Sequence, residues 1–278
     1  MKAFLFSLFS LAAVAAEKPV AQVGTVVRVE PARHTLWIAA SADAPPEAYL
    51  AREGDLAIAW TGRAIRFEVL TAAGRRWADT IFPADPEQVR RVAEVSESLR
   101  RQTADQGRLV TRMPNDLTPD MALWDQDARL VFKKDFLGAP YALNFIFTSC
   151  RSAKMCPAAT ACMKQLGDAL AADPRLKTVR LLTMTFDPEV DSPGTLRAYA
   201  AGYGIDQARH RFLTGDPGQI KDLMRNYGIL TVRDDGTIVH NAALLLVNAQ
   251  GRIVQRREGA SFDVAEVAKV LAGLVESR

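Results

Sequence analysis

Residues 141–172, YALNFIFTSCRSAKMCPAATACMKQLGDALAA, combine a buried-strand pattern with a helical pattern. The first eight residues are mostly apolar, which predicts a short strand buried on both faces. Pro157 suits the first turn of a helix, and the residues after it keep a helical pattern. The sequence therefore predicts a strand, a loop and a helix, with Cys150 and Cys156 at the two ends of the loop.

The N-terminus of the predicted helix places Cys156 where an anion is favoured. Unpaired backbone N–H groups and the positive end of the helix dipole are found there. A thiolate is such an anion, so we expect the pKa of Cys156 to be depressed. Arg151 and Lys154, in the same loop, should favour the thiolate further. Cys156 is therefore predicted to be a good nucleophile and metal ligand.

The overall composition is that of a globular protein. Hydrophobic residues make up 49% and charged residues 24% of the 278 residues, enough for one large domain or two ordinary ones. The formal net charge is +3, and no long run of lysine or arginine occurs. A nucleic acid is therefore not predicted as a partner.

Residues 1–16 are predicted to be a secretory signal peptide. Lys2 precedes an apolar run, and small residues suited to cleavage follow at Ala15 and Ala16. The alternative is a retained membrane anchor, but the run is shorter than the ~20 apolar residues of a spanning helix. We therefore expect an exported, periplasmic protein that contacts the inner membrane only if this segment is retained.

Three cysteines allow at most one intramolecular disulfide in an exported chain. One stripe at helical spacing is predicted to face the sheet, and it consists of Cys162, Leu166, Ala169 and Leu170. Cys162 is therefore the expected unpaired thiol, packed as a small apolar residue. For Cys150 and Cys156, a purely structural disulfide stays open as an alternative to chemistry.

Residues 17–84 are predicted to form a small all-β domain, either a barrel or a sandwich. Five strand-like runs are separated by turn residues: VGTVVRV, TLWIAA, DLAIAW, IRFEVL and RWADTIF. The opening GTVVRVEPARHTLWI resembles the CusF-like barrel domains that often precede periplasmic copper proteins. No metal is predicted here, because His34 is the only soft or imidazole ligand available. Trp37, Trp60 and Trp77 are expected to be core residues.

Residues 85–110 are predicted to be a connecting helix and linker. The segment PEQVRRVAEVSESLRRQ carries one narrow stripe, formed by Val89, Val92, Ser96 and Leu99. Charged residues occupy its other positions, so we expect it to lie on one neighbour with its other faces in solvent.

Residues 111–278 are predicted to form an α/β domain with helices on both faces of a mixed sheet. A hairpin in DMALWDQDARLVFKK precedes the central strand, and the run TVRLLTMTF follows the cysteine helix. Two further helices with a short strand between them, an excursion ending at His240, and a terminal hairpin and helix complete the pattern. This is the element order of a thioredoxin-like domain.

The loop after the central strand is expected at the sheet edge where functional groups gather. Two cysteines there can exchange disulfides or hold a soft metal as thiolates. Cys150 and Cys156 are separated by five residues, and not by the two of the dithiol redox motif. Exchange enzymes place a proline before the fourth strand, but the last proline of this chain is Pro217, and His240 takes that place. The histidine would complete a Cys2His ligand set.

Four segments resemble the SCO/SenC family of copper proteins in order and spacing: FTSCRSAKMCP, LLTMTFDPEVDSPGTLRAYAAGYG, FLTGDPGQIKDLMRNYGI and VHNAALLLVNAQGRIV. The resemblance covers residues 115–274. It implies an exported thioredoxin-like protein that binds copper, as Cu(I) or Cu(II), and assists assembly of the copper centre of cytochrome c oxidase. The common family loop has three residues between its cysteines and begins with proline, whereas this loop has five and begins with Arg151.

By this resemblance, Cys150, Cys156 and His240 are the copper ligands. Cys150 and Cys156 are also the candidate catalytic pair, because two cysteines in this loop can exchange disulfides. Asp187 matches an acidic residue expected to support the ligands. There are two implied partners. One is a copper-accepting protein, namely cytochrome c oxidase subunit II, and the other is a thiol reductant protein. His210 is expected to be a surface or packing residue.

Two other functions stay open at this point. A thiol-disulfide oxidoreductase would use the same cysteines on an acceptor protein without carrying metal. A copper or redox sensor would signal through the N-terminal domain. Loss of His240 separates the first from a copper protein, because a metal site needs the imidazole and disulfide exchange does not.

Overall fold

A computed structural model describes residues 20–234 and 237–276. The predicted signal peptide, 1–16, and two residues of a predicted turn, 235–236, lie outside this part of the chain. Within it, no helix combines the length and the apolar character needed to cross a membrane.

The N-terminal strands form a small closed barrel. They are β1 (Val20–Glu30), β2 (Thr35–Ala39), β3 (Glu47–Leu50), β4 (Ala64–Ala72) and β5 (Arg75–Pro83). Around the barrel their order is β1, β2, β3, β5, β4, and a short helix, α1 (Glu53–Leu56), joins β3 to β4. Inward-facing side chains such as Leu36, Ile65 and Ile81 are fully buried and fill the barrel. The predicted all-β unit is confirmed as a barrel.

The prediction of a strand at DLAIAW, residues 55–60, is wrong. The third strand is β3, just before it, and α1 and an irregular loop occupy the predicted position. Ile58 and Trp60 are 4% and 0% exposed because they enter the barrel core from this loop. In DLAIAW, large apolar residues alternate with small or polar ones because the large side chains are buried. A loop with buried side chains can show the same alternation as a strand, so the pattern alone does not separate the two.

Helix α2 (Pro86–Gln106) follows the barrel and contacts more than the one neighbour expected. Val92 and Leu99 of the predicted stripe are buried, whereas Val89 is 43% exposed. Val92 packs in a cluster with Phe82 of the barrel, and Leu99 belongs to the core of the larger sheet. The helix therefore packs against both parts of the protein.

The remaining strands form a mixed sheet and a separate hairpin. The sheet contains β6 (Ala122–Asp125), β7 (Leu130–Phe132), β8 (Tyr141–Ile146), β9 (Arg180–Thr185), β10 (His210–Thr214), β13 (Ala243–Val247) and β14 (Ile253–Glu258). Its order is β14, β13, β8, β9, β10, β6, β7, with β8, β9 and β10 parallel to one another. The hairpin consists of β11 (Thr231–Asp234) and β12 (Thr237–His240) and precedes β13.

Helices cover both faces of this sheet. One face carries α3 (Cys156–Ala172) and α6 (Val264–Glu276), whose Leu166 and Leu271 share a core with the sheet. The other carries α2, α4 (Pro193–Gly202) and α5 (Pro217–Asn226), which pack against a second core. This layering confirms the predicted thioredoxin-like α/β fold.

The buried face of α3 differs from the predicted stripe. Met163, Leu166 and Leu170 are buried, whereas Cys162 is partly exposed and Ala169 is exposed. The prediction that Cys162 packs against the sheet is therefore wrong. Met163, the next residue along the helix, is buried in the core with Leu166 and Leu170 instead.

Candidate metal centre

Three side chains from separate segments meet beyond the carboxyl ends of the parallel strands. Cys150 lies in the loop after β8, Cys156 is the first residue of α3, and His240 is the last residue of β12. Their sulfur atoms and a ring nitrogen of His240 all lie within 4.8 Å of one another. In the part of the chain that the structure describes, this is the one group of three or more His, Cys, Asp or Glu residues able to share a metal ion.

His240 is held by its backbone neighbour and by two aromatic rings. Its Nδ1 lies 2.7 Å from the carbonyl oxygen of Asn241, which only accepts hydrogen bonds, so Nδ1 carries the proton. Nε2 therefore presents a lone pair, and it faces the Sγ of Cys156 at 3.5 Å. The rings of Phe147 and Phe186 pack against the imidazole with centroid distances of 5.7 and 4.6 Å. These contacts fix the ring orientation, as is typical of a ligand histidine.

Burial, and not the helix terminus, governs the ionisation of Cys156. The residue is 1% exposed, and this desolvation raises the pKa of its thiol. The neighbouring Cys150 raises the pKa further, while a backbone hydrogen bond at Phe147 opposes the shift. The prediction of a depressed pKa is therefore wrong. Arg151 and Lys154 are exposed, so solvent screens the charges that were expected to favour the thiolate.

Cys156 and His240 form a complementary pair in the metal-free protein. Burial lowers the pKa of His240, partly offset by its hydrogen bond to the Asn241 backbone, so the imidazole is neutral at neutral pH. The protonated thiol of Cys156 then donates to Nε2 of His240. A soft cation at this point would replace the thiol proton and contact both atoms. Cys150 and His240 are only partly buried, so the cluster is accessible from solvent.

Asp191 supports the cysteine loop and was missed in the sequence analysis. Its fully buried carboxylate accepts hydrogen bonds from the Thr148 N–H at 3.1 Å, from the Thr148 hydroxyl and from the Thr185 hydroxyl at 2.5 Å. Burial raises the pKa of Asp191 to about 6. Because Thr148 lies two residues before Cys150, these bonds fix the start of the loop. Asp187, the expected residue, is also buried, and its N–H donates to the Thr185 hydroxyl at 3.0 Å.

A second polar contact supports the helix end that carries Cys156. The hydroxyl of Thr160 donates to the Cys156 carbonyl oxygen at 2.8 Å. The hydroxyl of Tyr199, on α4, lies 2.8 Å from the same Thr160 oxygen and donates to it. Helix α4 and the loop that leads into it therefore contact the segments of both cysteines.

His210 lies at the opposite, amino end of the parallel strands and does not belong to the cluster. It is 2% exposed and stacks on Phe212 at 4.5 Å. Its Nε2 lies 2.7 Å from the hydroxyl of Thr183, which itself donates to Asn144 at 2.6 Å. Burial lowers the pKa of His210 to about 3. The expectation of a packing residue is confirmed, and the surface alternative is wrong.

The aromatic and imidazole residues singled out in the barrel are placed apart from the cluster. His34 is exposed and adopts a left-handed backbone with a φ of 50°. Trp60 is fully buried, as predicted. Trp37 and Trp77 are only partly buried, so the expectation that they are core residues is wrong. The Arg28 guanidinium lies 4.8 Å from the ring centroid of Trp37.

The similarity of this chain to known proteins lies in its C-terminal region. The SCO1/SenC family model matches residues 110–276, more than half of the chain. The SCO1 protein homolog of Bacillus subtilis strain 168 is 28% identical over 139 residues, which are 49% of this chain and 70% of that protein.

Solved structures give the fold of this region. BsSco, described as a member of the Sco family of cytochrome c oxidase assembly proteins, aligns with a TM-score of 0.53 and 24% identity over 60% of this chain and 99% of that chain. The copper-bound ScoI of Arabidopsis thaliana aligns with a TM-score of 0.51 and 20% identity over 59% and 100%. With the family model matching residues 110–276, this chain belongs to the SCO1/SenC family.

Proposed function

We propose that this protein binds one copper ion through Cys150, Cys156 and His240 and delivers it during assembly of cytochrome c oxidase. The observation that carries the proposal is the convergence of two sulfurs and one imidazole nitrogen within 4.8 Å. Two related proteins support it: Arabidopsis ScoI was solved with copper bound, and BsSco belongs to a family of cytochrome c oxidase assembly proteins.

The chemistry of the donor set fits copper. Two thiolates are soft ligands that suit Cu(I), and one imidazole also allows Cu(II). The hydrogen bond from Nδ1 of His240 to Asn241 leaves Nε2 free for the metal. Because the pKa of Cys156 is raised, loading releases the thiol proton of this residue.

Delivery would proceed by ligand exchange with a copper-accepting protein, for which we propose cytochrome c oxidase subunit II. Cys150 is partly exposed and Cys156 is buried, so an incoming thiolate reaches the metal from the Cys150 side. Cys150 would leave copper first and take up a proton from solvent. Cys156 and His240 would follow as further acceptor ligands bind.

Oxidation of the two cysteines would block loading. Their sulfurs already lie within 4.8 Å, and forming a disulfide removes two electrons and two protons from the pair. A disulfide supplies no thiolate, so copper binding requires the reduced pair. A thiol reductant protein, which would be oxidised in turn, is therefore the second partner that we propose.

We place this function in the periplasm. The support is the sequence pattern of residues 1–16, which is that of a signal peptide. Retention of this segment would add a membrane contact.

Copper titration of the reduced protein tests the proposal. Wild-type protein, His240→Ala and His34→Asn are compared in competition with a Cu(I) chelator. The control removes an exposed imidazole at a left-handed position that asparagine tolerates. We expect one copper per chain for the wild type and the control, and loss of tight binding in His240→Ala. A reduced wild-type protein that binds no copper would contradict the proposal.

A thiol-disulfide oxidoreductase is the second candidate, because a partly exposed Cys150 adjoins the buried Cys156. Disulfide exchange needs these two cysteines and not the imidazole. Full reduction of an acceptor disulfide by His240→Ala, combined with a wild-type protein that binds no copper, would favour this enzyme.

A further inference from the structure

The barrel and α4 meet at a contact without room for side chains. A Cβ atom added at Gly54 of α1 would lie 1.9 Å from the carbonyl oxygen of Gly194, in the first turn of α4. A Cβ atom added at Gly194 would lie 2.1 Å from Oδ1 of Asp55 and 2.8 Å from its backbone nitrogen. These separations are far inside van der Waals contact, so only glycine fits at either position.

Asp55 is buried at the centre of this contact. It is 2% exposed, and its Oδ1 has no hydrogen-bond partner among the described residues. Burial raises the pKa of Asp55 to about 7, with Asp79 raising it further and Arg52 opposing the shift. A buried polar atom without a hydrogen-bond partner lowers the stability of the fold. The close contact of α1 with α4 is therefore formed although it leaves Oδ1 of Asp55 without a partner among the described residues.

A second contact joins the barrel to the larger sheet. Ala128, in the turn between β6 and β7, is fully buried and packs in the barrel core. Its carbonyl oxygen accepts a hydrogen bond from Arg63 of the barrel. The neighbouring Asp127 forms an ion pair with Arg197 of α4. The barrel is therefore attached both to α4 directly and to a turn that holds α4.

From α4, hydrogen bonds reach both cysteine segments. Asp191, just before α4, accepts hydrogen bonds from Thr148 at the start of the cysteine loop. Tyr199 of α4 is bonded to Thr160, whose hydroxyl donates to the carbonyl oxygen of Cys156. A displacement of α4 would therefore move both ends of the loop that separates the two sulfurs.

We propose that the barrel positions the metal centre. The contact between Gly54 and Gly194 holds α4 in place, and α4 sets the spacing of Cys150 and Cys156. These glycines are thus positioning residues that lie outside the cluster, and the barrel is more than a spacer. The effect on copper rests on the proposed function, whereas the effect on the two thiols does not.

The first test is Gly194→Ala in the full chain, with Gly202→Ala as its control. Gly202 lies in the last turn of the same helix, and a Cβ atom added there meets nothing within 4 Å. The readout is the rate at which iodoacetamide alkylates each cysteine of the reduced, copper-free protein, followed by mass spectrometry of the peptides. We expect Gly194→Ala to raise the rate at Cys156 about tenfold and the control to leave it unchanged. Copper affinity is measured in parallel, with an expected loss of about tenfold.

Wild-type alkylation rates in a folded Gly194→Ala protein would overturn the proposal. If this variant does not fold, a measurement on the wild type decides. Amide hydrogen exchange in α1 is compared between the reduced protein and the protein whose pair has been oxidised by glutathione disulfide. Coupling between two sites is reciprocal, so we expect exchange in α1 to change at least about twofold. Identical exchange in α1, with altered exchange in the cysteine loop, would overturn the proposal. A wild type that binds no copper would contradict the proposed function and leave both comparisons valid.

Discussion

His210 and His240 lie at opposite ends of the parallel strands, and each presents Nε2 to a polar side chain beside an aromatic ring. For His210 the ring is Phe212 at 4.5 Å, and for His240 it is Phe186 at 4.6 Å. His210 is fully enclosed, whereas His240 is only partly buried. The aromatic surroundings are similar, but the two rings differ in their exposure and in which nitrogen carries the proton.

The hydrogen-bond partners decide which nitrogen carries a proton. The Thr183 hydroxyl donates to Asn144, so Nε2 of His210 must donate to Thr183 and offers no lone pair there. Nδ1 of His240 donates to a carbonyl oxygen, so its Nε2 lone pair faces a thiol. A histidine becomes a candidate metal ligand when one ring nitrogen donates a hydrogen bond to the protein and the lone pair of the other nitrogen faces further metal-binding atoms.

The largest expected effect separates the two histidines by copper affinity. His240→Ala removes a metal ligand, so we expect Cu(I) affinity to fall by roughly 100-fold or more. This is a larger loss than is usual when a residue that only supports a ligand is removed. His210→Ala should leave the affinity within about threefold of wild type, because its ring is at the other end of the strands. Competition with a Cu(I) chelator measures both. Equal losses in the two variants would break the comparison.

The free energy of unfolding should change more in His210→Ala than in His240→Ala, the reverse of the order expected for copper affinity. His210→Ala leaves a cavity and removes the donor to Thr183, so we expect the free energy of unfolding to fall by about 2–4 kcal/mol. His240→Ala, at a partly buried position, should cost less than about 1 kcal/mol. Urea unfolding of the metal-free proteins measures both values. A larger loss in His240→Ala than in His210→Ala would contradict this assignment.

Acidification offers a related test of His210. Its pKa is about 3 in the folded protein and about 6.5 in the unfolded chain, so the unfolded state binds a proton first as the pH falls. This residue should therefore remove about 1.4 kcal/mol of stability per pH unit between roughly pH 6.5 and 3. Urea unfolding across this range should show that the free energy of unfolding falls less steeply with decreasing pH in His210→Ala than in the wild type. An unchanged slope would show that the ring is charged when folded.

Copper affinity should rise with pH because Cys156 must lose its proton. The pKa of this thiol is raised, so at least one proton is released per copper throughout the neutral range. His240 adds no proton release there, since burial lowers the pKa of its ring. We expect at least a tenfold gain in Cu(I) affinity per pH unit between about pH 6.5 and 8. Affinity independent of pH would mean that Cys156 is already a thiolate.

The smallest effect is expected for the residue that supports the loop. Asp191→Asn keeps the shape of the side chain but replaces an acceptor that serves Thr148 and Thr185 with an amide. We expect copper affinity to fall about tenfold, within the range for lost outer-shell partners. Asp168→Asn, on the exposed side of α3, is the control. Wild-type affinity in Asp191→Asn would show that the loop holds its shape without this carboxylate.

Much of the fold followed from short-range patterns. The apolar run at 141–148 and the helix beginning at Cys156 could be predicted because hydropathy patterns and a proline in the first helical turn are local features. The site residues Cys150, Cys156 and His240 were selected by residue type and by their places at the ends of elements. Their convergence depends on the antiparallel pairing of β8 with β13, a long-range relation that no local pattern specifies.

Other features depend on packing that no local pattern contains. The pKa of Cys156 follows from the burial of this residue in a core that strands of the sheet and α4 also form. Asp191 lies in the same FDPEVD segment as Asp187, and nothing in that segment indicates which of the two carboxylates bonds to Thr148. The contact of Gly54 with Gly194 joins residues of two separate units. Each of these is a relation between elements distant in sequence.

X-ray absorption at the copper edge of the Cu(I)-loaded, reduced protein tests the central claim most directly. We expect two sulfur ligands and one imidazole nitrogen in the wild type, with loss of the nitrogen and retention of the sulfurs in His240→Ala. A wild-type spectrum with sulfur ligands and no imidazole, or one unchanged in His240→Ala, would contradict the account.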